Sequence, residues 1–430
     1  MNIEITKQYK EIRQREIDFL NSNSDSMLES LIKVNQSLFD EINEEVKIAS
    51  LLFKKTPDSN KLLLSGNHKS FDAYHSLPDL NAFKRSINNK FGNVFKQGDI
   101  CIAGGSLCNM INGESISNDI DIFLFNYTED KLKEFIKNMT SCIEGEFRVF
   151  FTDLSITIME FVNCNDPMYQ LLKKGVVLYQ IIKHDYKSVA QLISGFDISP
   201  CSIALYQNEY YMTERCKFSL QTRRIDIDHT LVSESYVERL WKYNKRRFYT
   251  YFDIEINSGN EGSVSIDMDR ILRYKDLSVP MTKKLCEGSS SFTRMVLKDL
   301  SIIEQLLFLD HHRVDPGSCY TSLGNSNSKK VSKINYGYNY VYLDEDLNIV
   351  KLYIVDTYTG NKFVRNSIFG GSYCTTFEFS KVLSFLDQLK DGGINIDNLF
   401  KISNKKSIES NRSSFYPIIC DSVDDIIYKK

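Results

Sequence analysis

Two short blocks, a glycine pair after an apolar strand and a pair of aspartates inside another, most constrain what this chain can fold into. They read Ile102-Ala103-Gly104-Gly105-Ser106 and Asn118-Asp119-Ile120-Asp121-Ile122-Phe123. Side chains alternate between the two faces of a strand, so Asp119 and Asp121 are expected to lie on one face, with the isoleucines buried on the other. The pattern predicts a strand, a tight turn into a helix, and a second strand with two carboxylates side by side.

These residue types suit one kind of chemistry. Two carboxylates on a stiff strand form a cradle for Mg²⁺, which prefers hard oxygen ligands. A Gly-Gly turn lets backbone N–H groups approach a phosphate, and the Ser106 hydroxyl adds a further hydrogen bond. A triphosphate, a metal and carboxylates would then meet at one place, as nucleotidyl transfer requires. The alternative is a hairpin turn followed by a solvated pair of acids on an edge strand.

The two blocks together resemble the signature of the DNA-polymerase-β-type nucleotidyltransferase superfamily, in its large-DNA-virus and poly(A)-polymerase-like branch. The resemblance covers about 140 residues around the motifs. It implies that Asp119 and Asp121 hold Mg²⁺ or Mn²⁺ and act in catalysis. It also implies that Gly104, Gly105 and Ser106 hold the β- and γ-phosphates of a nucleoside triphosphate. ATP is the first choice for this nucleotide.

Catalytic members of that superfamily use a third acid from a later strand, and here several residues compete for the role. The strand around 177–182 carries Gln180 at a plausible position. Asp197 is the first choice because it lies in a Phe-Asp-x-x-x-Cys pattern that resembles uncharacterised viral and amoebal nucleotidyltransferase-like proteins. Glu160 and Asp153 follow in that order. Asp197 could equally be an ordinary turn aspartate, and a site without a third acid would belong to a nucleotide-binding pseudoenzyme.

A second informative segment, residues 235–248, contains five cations and four aromatic residues. On a helix Arg239, Lys242 and Arg246 would share one face beside an aromatic stripe. Such a surface suits phosphates and stacked bases. The alternative is a solvated basic face above an aromatic core stripe.

This segment also resembles the helix Tyr-x-x-Arg-x-x-Lys-Tyr-x-x-Arg-Gly-Phe of the same viral and amoebal group, and it departs from that pattern at Arg247. By this resemblance Arg239 and Lys242 contact phosphate, and Tyr236 or Tyr243 lies against the base or ribose. A second D-x-D, formed by Asp226 and Asp228, is the runner-up metal site.

Composition limits the class of protein. The 430 residues carry a net charge of −3, so contact with nucleic acid would need a local basic patch. The ten cysteines form no C-x-x-C pair, which argues against structural zinc. The polar N-terminus and the lack of an apolar run of about 18 residues predict a soluble intracellular protein with reduced thiols and no membrane partner. We expect it in the cytoplasm, a viral factory or a virion.

Periodicity and the resemblance together predict an α+β fold with a mixed-sheet nucleotidyltransferase core. The predicted regions are N-terminal helices at 1–91, the core at 92–232, and a C-terminal α+β domain at 233–430 that opens with the basic helix. Further predictions are two amphipathic helices within 8–55, helices near 79–92, 291–312 and 376–390, and a strand pair near 338–356. Within the core the predicted order is β-(turn-helix)-β-α-β-β-β-α-β-β. It includes a helix with Thr128 as its N-cap, followed by acids in the first turn, and a hairpin around Gln207-Asn208.

The predicted activity is metal-dependent transfer of a nucleotide from a nucleoside triphosphate to a hydroxyl. The leading version is template-independent addition to an RNA 3′ end, as in mRNA processing by poly(A) polymerases, with RNA as the acceptor. The alternatives are modification of a protein or small molecule and a catalytically inactive scaffold. A protein partner and a homo-oligomer both stay open.

Overall fold

The fold is mixed α+β, with helices packed on a mixed β-sheet. A computed structural model describes residues 2–22, 26–42, 63–64, 80–96, 99–112, 119–144, 147–151, 154–162, 165, 175–228, 231, 236–244, 246, 248–251, 332–336, 339–343, 349–354, 379–397 and 399–402. Among the helices of these residues, none is both long and apolar enough to cross a membrane.

The described helices lie before, within and after the sheet strands. They are α1 (Asn2–Asn21), α2 (Leu80–Phe95), α3 (Gly105–Ile111), α4 (Glu129–Ser141), α5 (Val189–Ser194), α6 (Glu214–Thr222), α7 (Tyr236–Asn244) and α8 (Phe379–Asp391). Residues 36–42 are also helical, and Ser199–Cys201 form a 3-10 turn.

The described strands form two sheets. They are β1 (Ile32–Val34), β2 (Leu63–Leu64), β3 (Ile100–Ala103), β4 (Asp119–Leu124), β5 (Phe147–Phe151), β6 (Ser155–Phe161), β7 (Val176–Ile182), β8 (Ile203–Tyr206), β9 (Glu209–Met212), β10 (Arg224–Asp226), β11 (Tyr249–Tyr251), β12 (Ser332–Tyr336), β13 (Asn339–Leu343) and β14 (Ile349–Ile354). The large sheet has the order β1-β9-β8-β3-β4-β7-β6-β5-β14-β13-β12, and the small sheet is β10-β11-β2. In the large sheet β4 and β7 run parallel, while the other described pairs are antiparallel.

Local sequence signals explain several of these elements. Thr128 caps α4 by accepting a hydrogen bond from the Lys131 N–H, and two acids follow in the first turn, where they favour the helix dipole. Gln207 and Asn208 both adopt positive φ between β8 and β9, as a tight two-residue hairpin requires. The predicted helix cap and the predicted hairpin are therefore confirmed.

The large sheet has one face covered by helices and one that carries the aspartates. On the covered face, the Phe91 ring of α2 meets Tyr179 of β7 edge-on, with 5.0 Å between ring centroids. Ile120 and Ile122 of β4 are fully buried there. Asp119 and Asp121 project from the other face, as the alternation along β4 dictates.

The predicted order of elements from the glycine turn to the hairpin is confirmed, from β3 and α3 through to β9. The helices predicted near 79–92, 235–248 and 376–390 also form, as α2, α7 and α8. Strands occur where a pair was predicted near 338–356, and β14 adds them to the edge of the same sheet through β5. The helix predicted at 291–312 lies outside the described residues.

The second N-terminal helix was predicted wrongly in part. Ile32–Val34 forms the edge strand β1 and pairs antiparallel with β9. The helical spacing of apolar residues through this segment is a weak preference, and strand pairing with a distant part of the chain overrides it. The proposed division into three regions stays a prediction.

Candidate active site

The D-x-D strand lies at the centre of the sheet, and the strand registers define which residues surround it. Asp121 is directly opposite Ala103 on β3 and opposite Gln180 on β7. Directly opposed residues share a face, so a single row of side chains crosses five strands. This row consists of Ala204, Ala103, Asp121, Gln180 and Thr157. The two alanines leave space on one side of Asp121, and neutral polar groups lie on the other.

The glycine turn brings the backbone close to this carboxylate. Gly104 has φ +96° and ψ −143°, a conformation that is almost restricted to glycine. A Cβ at this position would lie 3.5 Å from Asp121 Oδ2 and 3.7 Å from the Phe196 ring. The Gly104 N–H donates to Ile203 O at 3.1 Å, so the turn is fixed to β8. Any phosphate contact from the turn therefore falls to Gly105 and Ser106.

Ser106 is the next residue of the predicted phosphate site. Its side chain is buried, and within the described residues its hydroxyl makes no hydrogen bond. A buried hydroxyl without a partner is costly, and a bound oxygen-rich ligand would satisfy it. Together with the carboxylates of Asp119 and Asp121, these groups fit Mg²⁺ and a triphosphate, since the aspartates supply hard oxygen ligands and phosphate oxygens would supply more.

The electrostatics of the two aspartates favour a cation between them. Burial and the neighbouring Asp119 raise the pKa of Asp121 to about 7, although Arg239 and Lys242 act in the opposite direction. Asp119 is exposed to solvent at the edge of the site, yet the surrounding protein still raises its pKa, while Lys242 and Arg246 lower it. Two carboxylates that repel each other in partly dehydrated surroundings are stabilised by a bound metal ion.

The cations of the basic helix lie close enough to the two aspartates to act on their carboxylates. Lys242 is exposed at the edge of the site, yet the surrounding protein partly dehydrates its ammonium group and lowers its pKa, and the charges of Arg246 and Arg239 lower it further. Arg246 follows the end of α7, where its N–H donates to Tyr243 O at 2.9 Å and its guanidinium lies 4.8 Å from the Tyr243 ring centroid. Arg239 and Lys242 were predicted for this site, whereas Arg246 was not assigned a role. The spacing of the three cations was the signal that could have included it.

Asp197, the first choice for a third metal ligand, is instead paired with an arginine. Its buried carboxylate accepts a hydrogen bond from Arg239 Nη1 at 2.7 Å. A carboxylate already neutralised by a guanidinium is a poor additional ligand for Mg²⁺. In the structure Asp197 therefore holds Arg239, and its catalytic role stays a prediction.

The other third-acid candidates do not reach the site. Glu160 is opposite Val177 in the β6–β7 register and so lies on the helix-covered face, where it accepts hydrogen bonds from Lys90 and Tyr179. Asp153 lies outside the described residues. In the described part of the chain, no three His, Cys, Asp or Glu side chains form a group that could hold a metal. Gln180 lies directly opposite Asp121 on the neighbouring strand β7.

The tyrosines of the basic helix are buried, and their contact with the base or ribose stays a prediction. Tyr236 is fully buried, and its hydroxyl accepts a hydrogen bond from the Asp228 N–H at 3.0 Å. The buried Tyr243 hydroxyl accepts from Cys201 Sγ at 2.7 Å. The aromatic stripe thus packs inward, as the alternative interpretation of the sequence had it. Arg247, where the motif departs, lies outside the described residues.

The runner-up metal site at Asp226 and Asp228 is also excluded. Asp226 forms an ion pair with Arg224, and Asp228 Oδ2 accepts from Arg13 Nε at 2.8 Å. Both carboxylates are buried and neutralised by arginines. They have a structural role, which the sequence did not indicate because their partners are set by tertiary contacts.

Comparisons with known proteins found similarities over parts of this chain. Residues 79–223, less than half of the chain, match the family described as Gad2, Gabija anti-defense 2 family protein. An uncharacterised protein of Acanthamoeba polyphaga mimivirus is 24% identical over 212 residues, which are 47% of this chain and 46% of that protein.

Similar solved structures include the Thermotoga maritima CCA-adding enzyme complexed with tRNA, at 15% identity and a TM-score of 0.30, over 54% of this chain and 50% of that one. A CCA-adding enzyme complexed with CTP has 12% identity and a TM-score of 0.31, over 66% and 56% of the two chains. The chain spans about half the length of the relatives it matches. At such scores the description of the fold rests on this chain's own strand order and registers.

Proposed function

We propose that this chain binds a nucleoside triphosphate together with Mg²⁺ and transfers its nucleotide to a hydroxyl acceptor. The observation that carries the proposal is the contact between the two sequence motifs. The Gly104 turn lies against the Asp121 carboxylate. Two residues further along the chain, the Ser106 hydroxyl is buried and has no hydrogen-bond partner among the described residues. This proximity supports a site in which the groups that would bind phosphate and metal act together.

Each residue then has a role that follows from its position. Asp119 and Asp121 would hold Mg²⁺, which supplies charge neutralisation on the phosphates and on the leaving pyrophosphate. Gly105 and Ser106 would bind the β- and γ-phosphates. Lys242 and Arg246, whose charges already act on Asp119, would balance the remaining phosphate charge. Arg239, held by Asp197, would complete this electropositive wall.

We propose ATP as the nucleotide and an RNA 3′-hydroxyl as the first acceptor to test, as in a poly(A)-polymerase-like activity. The support for RNA is the cation-rich segment around α7. In the structure, however, its assigned cations act on the carboxylates of the site, which suits a triphosphate more directly than a long nucleic acid.

The test is incubation of the purified chain with each labelled nucleoside triphosphate, Mg²⁺ or Mn²⁺, and a short single-stranded RNA. The Asp119→Ala/Asp121→Ala variant removes the proposed metal ligands, and Asp130→Ala/Asp185→Ala removes two exposed acids elsewhere as a matched control. Primer extension by the wild type and the control, but not by the site variant, supports the proposal. Extension that survives the loss of both site aspartates overturns it.

A protein acceptor is a second candidate because residues 79–223 match a family named for anti-defense. A protein acting against a defense system could do so by modifying one of its protein components. The same assay detects this chemistry, since label would then enter added or self protein in an Asp121-dependent way and would not enter RNA.

Nucleotide binding without transfer is favoured by one observation, the amide of Gln180 directly opposite Asp121. A neutral amide is a weaker Mg²⁺ ligand than a carboxylate, so a second metal would be poorly held. Gln180→Glu adds a carboxylate at that place, and Gln180→Ala is the matched control. A transfer rate raised about tenfold or more only in Gln180→Glu would show that this ligand limits the reaction.

A further inference from the structure

Four charged side chains are buried together behind the candidate site. Arg13 and Glu16 lie on α1, Arg215 lies on α6, and Asp228 follows β10; each is at most 6% exposed. Glu16 Oε2 accepts from Arg13 Nη1 and from Arg215 Nε, both at 2.9 Å, while Arg13 Nε donates to Asp228 Oδ2 at 2.8 Å. Two cations and two anions make the cluster neutral, which is the condition for burying charge.

The arginines of this cluster also hold one segment of backbone, the 194–202 turn. Arg215 Nη2 donates to Phe196 O at 3.0 Å, to Ser194 O at 3.2 Å and to Ser202 Oγ at 3.2 Å. Arg13 Nη1 reaches Ser194 O at 3.4 Å. Helices α1 and α6 therefore hold the turn at both of its ends.

The 194–202 turn contacts the candidate site at two points. Asp197 binds Arg239 at 2.7 Å, and Arg239 acts on Asp121. The Phe196 ring lies against Gly104, 3.7 Å from where a Cβ would be. The Asp228 N–H in the same buried cluster donates to the Tyr236 hydroxyl at the start of α7, so both partners of the Asp197–Arg239 pair are supported from one place.

We infer that α1 contributes to the geometry of the site. Glu16 neutralises Arg13 and Arg215 and thereby positions the 194–202 turn. The turn positions the Asp197–Arg239 pair, which would face the bound triphosphate. Helix α1 lies outside the segment 79–223 that matches the Gad2 family, so this support is supplied by the flanking chain. Glu16 is a positioning residue, and only the effect on the triphosphate rests on the proposed function.

The structure offers a closely matched control for this inference. Glu16→Gln keeps the shape and an acceptor oxygen but leaves two buried arginines with one anion. Glu214→Gln makes the same substitution in the Arg15–Glu214 pair, which joins the same two helices at 2.6 Å on their exposed side. Arg215→Lys keeps the charge balance but loses the fork that reaches Ser194 O and Phe196 O.

The experiment measures amide hydrogen exchange of residues 194–202 and the dissociation constant of Mg²⁺·ATP in the full chain. We expect exchange at least tenfold faster and a dissociation constant at least fivefold higher in Glu16→Gln and in Arg215→Lys, with both values unchanged in Glu214→Gln. Adding Arg13→Met to Glu16→Gln restores neutrality and should recover part of both effects. Unchanged exchange in β3 and β4 of each variant would show that the faster exchange of the turn is local and not a general loss of folding.

Unchanged exchange in the 194–202 turn of a folded Arg215→Lys or Glu16→Gln protein would overturn the inference. Faster exchange with an unaltered dissociation constant would overturn its last step, from the turn to the triphosphate. If the wild type binds no nucleotide, the proposed function fails, and the exchange measurement still decides whether α1 positions the turn.

Discussion

Replacement of Gly104 by alanine tests the conformation on which the candidate site depends. At φ +96° and ψ −143° the backbone lies in a region that side-chain-bearing residues almost never adopt. The new Cβ would lie 3.5 Å from Asp121 Oδ2, which is ordinary contact, so backbone strain rather than a clash sets the cost. That strain is about 1–3 kcal/mol, or about 5- to 150-fold in the unfolding equilibrium constant.

The same substitution elsewhere in the chain should have the opposite sign. Gly92 lies in α2, and a Cβ there would meet only Asn88 Cβ, at 3.8 Å, among heavy atoms within 4 Å outside its chain neighbours and the helix backbone nearby. Gly92→Ala should therefore stabilise the folded state by about 0.5 kcal/mol, because alanine favours the helix.

Urea denaturation of the two variants beside the wild type measures both effects, and Mg²⁺·ATP titration measures the consequence for the site. We expect Gly104→Ala to unfold at lower urea concentration and to bind the nucleotide more weakly, while Gly92→Ala unfolds at higher urea concentration and binds as the wild type does. A Gly104→Ala protein as stable as the wild type would refute the argument from backbone strain.

Other predictions follow from the charges of the site. The folded pKa of Asp121, about 7, lies above its unfolded value of about 3.9, so its protonated form favours folding and this contribution is lost as pH rises through about 7. In metal-free buffer, the melting temperature of Asp121→Asn should then exceed that of the wild type at pH 8 but not at pH 4. The same difference in melting temperature at both pH values would contradict this. Lys242→Ala should raise the dissociation constant of Mg²⁺·ATP several-fold, and an unchanged constant would remove Lys242 from the site. Tyr236→Phe should cost about 1–2 kcal/mol of stability through the lost Asp228 hydrogen bond, measured by urea denaturation. Glu160→Gln should lower the free energy of unfolding by about 3 kcal/mol, because it breaks the buried ion pair with Lys90, and should leave nucleotide binding intact. Weaker nucleotide binding by the folded variant would show that the assignment of Glu160 to the opposite sheet face is wrong.

The predictions that succeeded depend on residues close together in sequence. Alternation along Asp119–Leu124 placed both carboxylates on one face, the Thr128 hydroxyl with the acids after it marked the start of α4, and Gln207-Asn208 marked the hairpin. Each of these signals follows from backbone geometry over a few residues, so it can be recognised without knowing the rest of the fold.

What the sequence did not indicate concerns partners far apart in the chain. Asp197 was the first choice for a third acid, and the structure shows that it binds Arg239. Glu160 lies on the sheet face opposite the two aspartates because of the register of β6 on β7. A shift of one residue in a strand register reverses the face of every side chain, and the register depends on the partner strand as well as on the local hydrophobic pattern.

The sequence by itself determined the order of strands and helices in the core and the two carboxylates beside a glycine turn. Only the tertiary structure decided that Gln180 lies opposite Asp121, that Tyr236 is buried, and that Glu16 of the N-terminal helix supports the turn that carries Asp197. The physical reason is that periodicity and capping are properties of neighbouring residues. Ion pairing and burial of charge are settled by which distant segments the packed sheet and helices bring into contact.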